Sequence, residues 1–97
     1  MSKYVIYGFE GLKNTQENEW RFKAYAGTTA EAAKKGVDIA NKLGIITDTR
    51  LISSTLAEFG EYRHFHGYIR KAWGREGLLI VPADKASEAL AALKATA

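Results

Sequence analysis

Residues 62–75, YRHFHGYIRKAWGR, hold four cations, both histidines of the chain and four aromatic side chains, without a single acid. Together with residues 51–59 they restrict the fold more than any other stretch. Between the two segments stand Gly60 and Glu61, the pattern of a two-residue type II′ turn, which places glycine first. A hairpin closed there sets Leu56 opposite Phe65 and Ile52 opposite Ile69. In this register Ile52, Leu56, Phe65 and Ile69 share one face, while Ser53, Thr55 and Ala57 lie beside His64, His66, Tyr68 and Arg70 on the other. A slip of one residue would mix the two sets, so the pattern selects the pairing.

Such a hairpin needs a sheet to join. Residues 3–9 place Val5, Tyr7 and Phe9 on one side and Tyr4 and Ile6 on the other. A strand apolar on both faces belongs in the middle of a sheet. Residues 10–18 are polar and read as a long connection. Residues 19–26 then alternate, with Trp20, Phe22, Ala24 and Ala26 on one face and Arg21, Lys23 and Tyr25 on the other, as a half-exposed antiparallel strand does. Thr28 followed by Glu31 has the form of a capping box. It opens a helix over residues 29–43, where Ala32, Gly36, Ile39 and Leu43 form one stripe and Ala33, Val37 and Ala40 its neighbour, with Gly44 in position to end it. The small side chains on that stripe suit a helix lying close against the sheet. Residues 74–77 form a turn, residues 78–81 a short apolar strand ended by Pro82, and a final helix begins at Ala83 or Asp84. The expected order is ββαβββα. It describes an α+β fold: a two-layer sandwich whose antiparallel sheet of about five strands carries two helices on one face. A chain of 97 residues supports one such domain, residues 1–97.

Composition narrows the function by exclusion. Without cysteine there is no disulfide framework, thiolate nucleophile or cysteine zinc site. No apolar run approaches the length that spans a bilayer, and the start lacks the features of a signal peptide, so a cytoplasmic protein with no membrane partner is expected. The net charge of +3 means little by itself. Its concentration in residues 62–75 means more, because a local patch recruits a partner where a global excess does not.

The candidate binding residues follow from the two strands that expose a polar face. Were they in one sheet, Arg21, Lys23 and Tyr25 would join His64, His66, Tyr68 and Arg70. Cations set among planar rings suit a nucleic-acid strand, whose phosphates meet the charges and whose bases stack on the rings. The expectation is therefore a small non-catalytic binding protein without a cofactor, whose basic-aromatic sheet face takes an acidic macromolecule, single-stranded nucleic acid or RNA ahead of protein. The same face would serve an inhibitor or adaptor that binds another protein, or join two copies in a homodimer. A small dimeric enzyme working without a cofactor is the remaining alternative, although no phosphate loop or nucleophile motif is present. His64 and His66 alternate on one strand and can face one metal ion, but lacking a cysteine or third histidine they are not expected to hold one.

Overall fold

Two strands that carry apolar side chains on both faces lie at the centre of the molecule. The computed structural model describes residues 3–9, 20, 22–65 and 77–96, the side chains of residues 65 and 93–96 excepted. Its elements are β1 (Tyr4–Phe9), β2 (Phe22–Ala26), α1 (Thr29–Leu43), α2 (Thr49–Phe59), β3 (Tyr62–Phe65), β4 (Gly77–Pro82) and, after a single 3-10 turn, α3 (Ala86–Thr96). The four strands form one sheet in the order β2-β1-β4-β3. Each pairing is antiparallel, and the central one runs from Tyr4 opposite Pro82 to Phe9 opposite Gly77.

Because β1 and β4 are apolar on both sides, both sides must be covered. Tyr4, Ile6, Leu78 and Ile80 pack against Ala33, Ile39, Ala40 and Leu43 of α1 and Ile52 and Leu56 of α2. Val5, Tyr7, Phe9, Leu79 and Val81 turn the other way, where Ala86, Ala89 and Leu90 of α3 meet them. The α+β class and the antiparallel sheet are as expected. The arrangement of helices on one face is corrected: α1 and α2 cover one face and α3 lies on the other.

The larger correction concerns residues 51–59, which belong to a helix and not to a fifth strand. Asp48 caps it, its Oδ1 accepting the Leu51 amide proton at 2.8 Å. Gly60 ends it at φ 79°, donating its N–H to the Leu56 carbonyl at 2.9 Å. That left-handed conformation favours glycine, so Gly60 is a helix terminator and not the first residue of a hairpin turn. With the hairpin gone, β3 takes its register from β4, Tyr62 opposite Ile80 and His64 opposite Leu78. Tyr62 and His64 therefore turn toward the side covered by α1 and α2, the reverse of the expected orientation of His64. Tyr62 is buried there, its hydroxyl 2.9 Å from that of Thr47.

The first helix is as its residues dictate. The Glu31 amide donates to Thr28 Oγ1 at 3.1 Å, and the Glu31 carboxylate accepts from the Gly27 amide at 2.7 Å. Gly8 of β1 lets α1 approach: a Cβ there would lie 2.6 Å from Ile39 Cγ2 and 3.1 Å from Leu43 Cδ1.

Two outcomes follow. Gly8→Ala should lower stability by about 1–3 kcal/mol in urea denaturation, although alanine suits a strand better than glycine, because the methyl group pushes α1 off the sheet. An unchanged or raised stability would contradict the close approach. The Glu31 carboxyl is held below its ordinary range, first by the Gly27 amide and then by Lys35. Folding thus favours its ionised form, and the resulting stability is present in full above the pKa of a free glutamate and lost as pH falls through the lower folded value. Glu31→Gln should melt below wild type at neutral pH, with the gap closing in acid; a pH-independent gap would refute this linkage.

Candidate binding surface at the outer edge of the sheet

β2 pairs with β1 on one side, and among the described residues no strand lies on the other. Its alternation sends Phe22 and Ala24 toward α1, where both pack on the core, and leaves Lys23 and Tyr25 on the opposite face, paired with Tyr7 and Val5 of β1. A free strand edge invites unwanted pairing. Here Lys35 of α1 reaches over it, its Nζ donating to the Tyr25 carbonyl at 2.6 Å while also pairing with Glu31 at 3.4 Å.

The face bearing Lys23 carries an aromatic cluster around a cation. The Lys23 ammonium lies 5.2 Å from the Tyr25 ring centroid, 5.3 Å from that of Trp20 and 5.6 Å from that of Tyr7. The Trp20 and Tyr7 rings are themselves 5.8 Å apart. Tyr7 is buried, but Trp20 and Tyr25 remain 42 % and 49 % exposed. The Lys23 pKa is held above the ordinary lysine value, chiefly by hydrogen bonding with the Tyr25 side chain and against the opposing effect of desolvation. Lys23 is therefore a cation, not a base, at neutral pH.

Behind the edge, between β2 and α1, lies a cleft of about 230 Å³. Lys35, Asp38 and Lys42 of α1 line it together with Lys23, over a floor of Phe22, Ala24 and Ile39. Lys42 Nζ lies 5.4 Å from the centroid of the Phe22 ring. A second groove, of about 180 Å³, lies between β3, β4 and α3. Its Arg63 is engaged by Glu61 at 3.2 Å, and Lys85 and Glu88 also balance in charge, so it has no electrostatic preference.

Of the seven residues expected to form the site, Lys23 and Tyr25 share a face as foreseen. His64 is separated from them: half-buried, stacked on Tyr62 with centroids 6.5 Å apart, it lies on the opposite face and at the opposite edge. Three strand spacings, about 14 Å, divide the two edges. Arg21, His66, Tyr68 and Arg70 lie outside the described residues. Among the described residues no group of three or more histidine, aspartate or glutamate side chains could hold a metal ion, and no helix is long and apolar enough to cross a membrane.

Sequence reasoning placed Trp20 with Phe22, on the wrong side. The strand begins only at Phe22, so alternation does not reach Trp20, which turns to Tyr7 and Lys23. Lys35 and Lys42 stand off the apolar stripe of α1. Their spacing of seven residues, two helical turns, was the signal that both face one neighbour. No protein-family model, curated protein or solved structure matches the chain.

Proposed function

We propose that this chain is a small non-catalytic binding protein that holds a single-stranded nucleic acid against the outer edge of its sheet. The observation that carries the reading is the Lys23 ammonium standing among three rings, two of them about half exposed. Exposed Trp and Tyr rings stack on bases of any sequence, and a lysine beside them meets the phosphate between two stacked bases. The ammonium carries three protons, so its ring contacts leave donors for a phosphate oxygen. A cation set among open aromatic rings suits recognition better than catalysis. An acidic protein surface would use the same cation, but it gains less from open aromatic faces than unpaired bases do.

The test is a titration of fluorescent single-stranded RNA and DNA at several salt concentrations. Affinity should fall linearly with salt on logarithmic axes, and Lys23→Gln should make the slope shallower by about 0.7, one phosphate contact. Trp20→Ala should weaken binding by about 1–3 kcal/mol and leave the slope unchanged. No binding by wild type at micromolar protein in low salt would refute the proposal and favour a protein partner for this face.

A further inference from the structure

The cleft behind the β2 edge is too small for a whole ligand and has the wrong charge for a neutral one. Pockets that enclose a small molecule measure about 300–1,000 Å³; this one measures about 230 Å³. It suits one unit of a longer molecule. Lys42 lies beside the Phe22 ring, and among the described residues no carboxylate pairs with it. Lys35 already bridges the Tyr25 carbonyl and Glu31. Lys23 lines the cleft and also stands among the rings of the other face, so the two features meet at one residue. Among the described residues no strand lies outside β2, so a single strand can cross that edge from the rings into the cleft.

Asp38 is the odd member of this set. A carboxylate beside a bound polyanion repels it, unless the polyanion offers the carboxylate a hydrogen-bond donor. The sugar–phosphate backbone has one such donor, the ribose 2′-hydroxyl, which DNA lacks.

We propose that the cleft between β2 and α1 is a ribonucleotide subsite: Lys42 holds a phosphate, Asp38 accepts the 2′-hydroxyl, and the sugar rests over Phe22. The partner is then single-stranded RNA in preference to DNA. This inference rests on the nucleic-acid reading of the Trp20, Lys23 and Tyr25 surface and extends it to the choice of sugar.

The experiment measures anisotropy of labelled oligouridylate and oligodeoxyuridylate of equal length with wild type, Asp38→Ala and Lys42→Gln. Both substitutions are on the exposed face of α1, and unchanged melting temperatures establish that the variants fold. Wild type should bind the ribo-oligomer about tenfold more tightly, as expected for a hydrogen bond to a charged acceptor. Asp38→Ala should bring that ratio close to one without changing the salt slope. Lys42→Gln should make the slope shallower by about 0.7 for both oligomers. Equal wild-type affinities, a ratio untouched by Asp38→Ala, or a slope untouched by Lys42→Gln would overturn the subsite while leaving the nucleic-acid reading standing. Failure to bind either oligomer would overturn both.

Discussion

The pairing of β1 with β4 governs the remainder of the structure. Six residues of each strand pair antiparallel, and Ile6, Leu78, Leu79 and Ile80 are wholly buried. Such a pair cannot sit at an edge or face water on either side, since each large apolar side chain left exposed would forfeit about 1.5–3 kcal/mol. One face is closed by α1 and α2, the other by α3. Polar and charged strand residues are left to β2 and β3. The polar and charged strand surface is therefore at the sheet's margins, and the central strands hold those margins in place.

The approach of α1 follows from the same pair. Gly8 removes the side chain that would keep Ile39 and Leu43 away, and Gly36 does the same toward Ile80 and Ile52. Close docking places Lys35 and Lys42 beside β2, where they form the wall of the cleft. The packing that completes the core thereby also assembles the charged groove.

Legibility in the sequence varied with how many signals agreed. For α1, the cap, the stripe and the terminating glycine all pointed to one element. For residues 51–59 the apolar pattern was ambiguous, because Ile52 and Leu56 are four apart, a spacing that fits both a strand and a helix. Gly60 was equally ambiguous, since a type II′ turn and a left-handed helix end both call for glycine. Asp48, twelve residues before Gly60, was the signal that distinguished them. Once α2 is a helix, the side-chain orientation of β3 depends on a partner far along the chain, which no local pattern encodes; hence His64 lies opposite to its expected side. In the candidate site, Lys23 and Tyr25 were legible from strand alternation. Trp20 and the cleft lysines were not, because their positions depend on where the strand starts and on how α1 docks.

Recognition is proposed at the outer edge of β2 and at no other described surface, including α2, where Leu51 and Phe59 are 49 % and 70 % exposed. Amide and indole chemical shifts of the isotopically labelled protein, followed while unlabelled single-stranded oligoribonucleotide is added, test this most directly. The largest changes should fall on Trp20, on residues 22–25 and on α1 between Lys35 and Lys42, with α2 and β3 unmoved. Changes centred on Leu51 and Phe59 or on β3, or no changes at all, would contradict it.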